Sequence, residues 1–193
     1  MTNFKTNILT LTIAVSLCVA SFSSHAQSGK LHHLQSQALL SFCSAEVTLL
    51  NGALSAREFD MALTSQMIAS LKTSIEQAKK HVDRSTDLLD EKQEKLRPKF
   101  EKLRGHLVDA QRELASLVKD VAAQVKPYMD AIENSEEEAA GEAPPVPDWA
   151  LLKRHVGWIA FDLKQGQKLH RGLAKKLRLP KLRTPRKPKG SRN

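Results

Sequence analysis

Every seventh residue from Ile68 onward is apolar: Ile68, Ile75, Val82, Leu89, Leu96, Leu103, Ala110 and Leu117. A strict seven-residue repeat keeps one stripe of a helix turned towards a partner, so this run predicts the seam of a coiled coil. The 66 residues from Met67 to Ile132, if unbroken, would make a rod of roughly 100 Å at ~1.5 Å per residue. Ser55 lies three residues before Glu58, the spacing of a capping box, so the long helix is expected to span 57–132. Before it, Leu31, Leu34, Ala38, Phe42, Ala45 and Leu49 recur at helical spacing, with Leu39, Leu40, Cys43, Val47 and Leu50 on the flanks. A helix apolar over most of its circumference is buried between others. Asn51-Gly52 marks a turn near its end, so this helix and the start of the next are expected to form an antiparallel hairpin.

The long repeat changes character in the middle. Between Asp83 and Arg104 the first seam position stays apolar, while the second becomes Ser85, Lys92 and Lys99. Glu76/Lys80, Glu91/Lys95 and Arg97/Glu101 can pair one helical turn apart. Pro98 lies at the edge of this charged waist. Inside a helix a proline costs about 3 kcal/mol and kinks it, whereas in a first turn it is harmless. A hairpin turning near Pro98 and a kinked continuous rod both fit. The undisturbed heptad phase, with no Gly or Asn in residues 90–97 and no capping residue directly before Pro98, leans towards the kinked rod. Any hinge or partner-binding surface on the rod is expected at this waist. Pro127 predicts a second kink.

Residues 133–147 (ENSEEEAAGEAPPVP) read as an acidic, proline-rich linker. Asp148 can cap a following amphipathic helix over 148–177, in which Leu152, Val156, Ile159 and Leu163 begin a stripe that Leu173 and Leu177 resume. Gly166 and His170 interrupt it, so docking is expected to be firmest through the first half. Trp149 and Trp158 are expected to act as packing anchors. Pro180, Pro185 and Pro188 then end all helix, and residues 178–193 read as an extended basic tail. The fold class is therefore all-α and elongated, with two shorter helices flanking the long one.

The N-terminus changes the setting. Lys5, an apolar run from Ile8 to Ala20, and small Ser24 and Ala26 predict a secretory signal peptide over residues 1–26, cut after Ala26. The 13-residue run is too short to span a bilayer, and no later segment does so. Leu17 before Cys18 argues against a lipoprotein cut. A periplasmic or secreted location follows. Cys43 is then the one mature cysteine, to be read as a buried thiol or as an intermolecular disulfide.

Charge is localised. The formal +9 of the 193 residues equals the nine cations Lys175, Lys176, Arg178, Lys181, Arg183, Arg186, Lys187, Lys189 and Arg192, among which no acid lies. Such an end attracts polyanions, and in an envelope protein these are anionic lipid headgroups, acidic polymers or acidic proteins. Export and the lack of aromatics in the tail disfavour nucleic acid.

Catalytic patterns are missing: there is no Gly-rich phosphate loop, H-E-x-x-H, C-x-x-C or G-x-S-x-G. The mature histidines His32, His33, His81, His106, His155 and His170 lack the Glu-x-x-His spacing of di-iron bundles. Adjacent His32 and His33 would point about 100° apart on a helix. No catalytic, metal or cofactor residue is assigned, and a haem-binding bundle is the weakest reading. The profile is similar in type to periplasmic helical chaperones, although no motif carries that likeness. The expected function is that of an exported, non-enzymatic helical adaptor, self-associating through the 68–132 seam. The alternative is a polyanion-binding protein that uses the basic end.

Overall fold

The computed structural model describes residues 25–55, 59–134 and 146–179. Most of the expected signal peptide, most of the acidic linker and the tail beyond Leu179 lie outside the described residues. Within them, all regular structure is helical: α1 (His25–Ala53), α2 (Met61–Asp87), α3 (Arg97–Asp120), α4 (Lys126–Asn134) and α5 (Trp149–Lys176). A π turn at Val121–Val125 joins α3 to α4, so the two form one arm. α1 packs on α2, α2 on α3, α3 on α5, and α5 on α1. Four antiparallel arms thus close into a bundle around a single apolar core.

The long repeat is two arms and not one rod. α2 ends at Asp87, and a turn built on Asp90, whose carboxylate accepts the Gln93 N–H at 2.8 Å, reverses the chain. A short 3₁₀ helix, Glu94–Leu96, follows, and the Arg97 side chain forks onto Glu94 at 2.6 and 3.1 Å. Pro98 then falls in the first turn of α3, where its missing N–H would have had no helical partner anyway. The turn keeps the heptad phase because Leu89 and Leu96 fold down on the same core that the two arms share. α2, at 27 residues, is about 40 Å long. Of the three polar seam positions of the waist, Ser85 is buried, its hydroxyl bonding the His81 carbonyl at 2.7 Å, whereas Lys92 and Lys99 are exposed. Ahead of Pro127 the Lys126 N–H reaches back to the Val121 carbonyl. This local widening relieves the proline ring's clash with the carbonyl four residues earlier.

Other local expectations are also revised. Asp60, not Ser55, caps α2: its carboxylate accepts the Leu63 N–H at 2.8 Å, while the Ser55 hydroxyl bonds the Asn51 carbonyl. Ion pairs form as Lys79–Asp83, Arg97–Glu94 and Arg104–Asp83 in place of the expected i,i+4 set. Asp148 does cap α5, accepting the Leu151 N–H at 2.9 Å. Trp149 is a packing anchor, its ring 5.2 Å from that of Phe59.

α5 docks along its whole length rather than through its first half. Leu152, Val156, Ile159, Leu163, Gly166, His170 and Leu173 all face inward. Gly166 leaves little room for a side chain: a Cβ there would stand 3.3 Å from a Leu103 methyl and 3.6 Å from one of Leu40. The helix ends in a Schellman motif, with Leu179 N–H bonded to the Ala174 carbonyl and Arg178 in the left-handed region at φ 52°. Leu177 and Leu179 then pack against the core, fixing the root of the tail.

Two glycines of α5 should respond oppositely. Gly157→Ala meets nothing within 4 Å and should stabilise the fold by roughly 0.5–1 kcal/mol. Gly166→Leu should destabilise it by about 1–3 kcal/mol through overpacking. Urea denaturation midpoints measure both.

Candidate functional site: the two faces of α5

The inner and outer faces of α5 both carry polar or charged groups. Its inner edge along α3 is a polar rail in heptad register. His106, Glu113 and Asp120 on α3 oppose Asp162 and His155 on α5. His106 Nδ1 lies 2.9 Å from Asp162, and His155 places Nδ1 2.9 Å from Glu113 and Nε2 3.0 Å from Asp120. His106, Asp109 and Asp162 each bring one ligand atom within 4.8 Å of the others. That set could hold a divalent cation, although Asp109 already pairs with Arg112 at 3.3 Å. On the α1 side, Gln167 Nε2 donates to the Leu40 carbonyl at 3.0 Å and to Ser44 Oγ at 2.8 Å.

Deeper in the core, His170 stacks on His33 of α1, ring centroids 3.6 Å apart at 16°, with Phe100 edge-on to His33. Both imidazoles are fully buried. Ser36 donates its one hydroxyl proton to the His33 carbonyl at 2.9 Å, so the 2.7 Å contact with His170 has Nε2–H as donor. Both His33 nitrogens and His170 Nδ1 have no hydrogen-bond partner. Burial pushes His33 down to about 4, and burial together with the facing His33 pushes His170 down to about 3. The pair is therefore neutral near pH 7. On α1 and α2, His32 and His81 meet Nδ1 to Nδ1 at 3.0 Å. Because the Gln35 carbonyl oxygen lies 3.1 Å from His32 Nδ1, His32 is the donor and His81 the bare acceptor. Burial, with His32 and Arg84 nearby, lowers His81. Adjacent His32 and His33 thus serve different interfaces.

Glu46 is a further buried titratable group. It accepts the Ser70 hydroxyl across α1 and α2, and burial raises its carboxyl. Cys43 nearby is a fully buried free thiol, its ionisation pushed up by burial and by Glu46.

The outer face of α5 differs from the rest of the surface. Lys153, Arg154, Gly157, Trp158, Ala160, Phe161, Lys164, Lys168, Arg171, Lys175 and Lys176 are all exposed, and none of these cations enters an ion pair among the described residues. The one acid of α5, Asp162, faces His106. Trp158 is 53 % and Phe161 48 % exposed, their rings edge to face at 6.1 Å. Trp158 is therefore not the anchor its sequence position suggested. At the end of the stripe Lys99 of α3 lies beside Lys176 and lowers that ammonium below the ordinary lysine value.

The eight heptad residues have a different fate from the one expected. All are buried except Leu89, which is half-buried against the same core. They are covered by helices of their own chain. Of the nine tail cations, Lys175, Lys176 and Arg178 continue the α5 stripe. Lys181, Arg183, Arg186, Lys187, Lys189 and Arg192 lie outside the described residues. An open hollow is lined by the polar and charged residues Asp83, Thr86, Asp87, Glu101 and Arg104 and bridged by the Arg104–Asp83 pair at 2.9 Å. It is a poor place to exclude water. No family model, curated protein or solved structure matches the chain.

The buried imidazoles set an acid limit. Below pH 6.5 the unfolded imidazoles bind protons that folded His33 and His170 refuse until about 4 and about 3, so stability falls with pH through that window. Above pH 6.5 both states are neutral and the pair adds no pH dependence. The double variant His33→Leu/His170→Leu should flatten the parent's decline between pH 6.5 and about 4 in urea midpoints. The difference between the two curves removes the opposite contribution of Glu46.

Proposed function

We propose that the protein is an exported, non-enzymatic helical interaction protein that binds a polyanionic partner through the outer face of α5 and the basic end that continues it. The observation that carries this reading is the stripe of unpaired, exposed cations from Lys153 to Lys176, in which every acid is missing. Like charges on one face raise a shared positive potential, which draws an anion and raises its local concentration. The Lys99–Lys176 neighbourhood supports the same point, since two ammoniums held together favour an anion between them. The bundle then serves as a rigid scaffold, and the tail extends the field from the end at which α5 stops. Self-association through the heptads loses its support, because those side chains fill the core.

Heparin chromatography of the full chain tests this. Lys164→Glu/Lys168→Glu, on an exposed face, should elute at clearly lower salt than the parent. Deleting residues 180–193, beyond the Schellman end, should lower elution further. Unchanged elution of the double variant would refute the role of α5.

A further inference from the structure

The cationic stripe is not evenly cationic. At its centre stand two large aromatic rings, Trp158 and Phe161, with Arg154 one turn before and Lys164 one turn after. They support each other edge to face and touch no other ring among the described residues. Gly157 and Ala160 beside them add almost no side chain, and nothing stands within 4 Å of where a Gly157 Cβ would be, so the rings project beyond the helix surface. The other exposed large apolar residues, among them Leu49, Val118 and Val146, sit on different elements and form no comparable group.

An occupant of this face must satisfy two demands along one straight helix: anions at both ends and an apolar layer in the middle. A soluble polyanion supplies the first and leaves both rings in water. A bilayer surface supplies both, with phosphates at headgroup level and an acyl boundary just below, where Trp and Phe are favoured. The long stems of Lys and Arg let their charges stay with the headgroups while the rings go deeper. No helix among the described residues is long and apolar enough to cross a membrane, so attachment through this face is peripheral.

We propose that the outer face of α5 docks flat on an anionic lipid bilayer, with Trp158 and Phe161 entering the interfacial layer and Arg154, Lys164 and Lys168 contacting lipid phosphates. This rests on the reading that the face binds polyanions and names the anion. The bundle core stays closed, since the docking face is the one opposite Leu152, Val156, Ile159 and Leu163.

The test uses the full chain with Trp149→Phe, which leaves Trp158 as the one indole, and vesicles of phosphatidylcholine with or without phosphatidylglycerol. On anionic vesicles Trp158 emission should shift to the blue and be quenched by brominated lipid; on neutral vesicles it should do neither. In the parent background, Trp158→Ala/Phe161→Ala should weaken anionic-vesicle binding about tenfold or more, while heparin retention and helicity stay unchanged. Trp158 emission that remains solvent-like on vesicle-bound protein overturns the proposal, because another segment then makes the attachment. Equal vesicle binding by the double variant also overturns it, and retained heparin binding in that case leaves the polyanion reading standing. A dimer that dissociates in the double variant without change in vesicle binding assigns the face to a second copy and overturns it. Loss of binding to single-stranded oligonucleotide alone assigns the rings to base stacking and likewise overturns it. Failure of the parent to bind either heparin or vesicles removes both readings.

Discussion

The structure depends on α5 lying down in the groove that α1 and α3 leave open. Without it, Leu103, Leu107, Ala110, Leu114 and Leu117 of α3 would expose an apolar stripe to water, and α1 would lose its second neighbour. At roughly 1.5–3 kcal/mol for each large side chain removed from water, that stripe decides whether the bundle closes. Gly166 sets how closely it closes, since no side chain keeps α5 away from Leu103 and Leu40. Once the inner face is committed, helical geometry determines the outer one. The cations and the Trp158–Phe161 pair look outward because the positions between them are filled with leucine, valine and isoleucine turned in.

The same helix carries the polar contacts that select its register. The rail of His106, Glu113 and Asp120 against Asp162 and His155 repeats every heptad, so a slip of one heptad, about two turns, would face Asp162 with Glu113. The stacked His33 and His170 act differently. They occupy core volume as neutral, flat rings with three nitrogens unpartnered, which is tolerable while they stay uncharged. They therefore make the closure of the bundle sensitive to acid in a way that an aliphatic pair would not.

Much of the fold was legible in the periodicity. The heptad positions of both long arms, apart from half-buried Leu89, and the apolar positions of the first half of α5 are core positions, and Asp148 is the cap it looked like. In α1 the core is made instead by the flanking Leu39, Leu40, Cys43, Val47 and Leu50, while the expected stripe from Leu31 to Leu49 is half-buried or exposed. The turn before Pro98 was obscured for a physical reason: its flanking arms face one core, so the seven-residue phase survives the reversal. The available signal was Asp90, whose side chain can take over the hydrogen bonding of a turn without any glycine. The second half of α5 was undervalued because Gly166 and His170 look like poor seam residues in isolation. Their reasons lie on other helices: Ser36, which bonds His170, is 134 positions away. The candidate site was half legible. The basic end stood out by composition, but Trp158 and Phe161 were hidden by the habit of assigning large rings to cores. Their spacing from each other and from Arg154 and Lys164, read against the Leu152–Leu163 stripe, places all four on the opposite face.

On the reading proposed here, one helix closes the bundle with one face and recognises anions with the other. Backbone and lysine side-chain NMR of the full chain, titrated with a short heparin fragment, probes both faces in one experiment. Saturable shifts are expected at Lys153, Arg154, Lys164, Lys168 and Arg171, with the amides of Ile159, Leu163 and Gly166 moving far less and the core signals of α1 and α3 unmoved. Shifts absent from α5, or centred on α2 or on the hollow around Asp83 and Arg104, would contradict it.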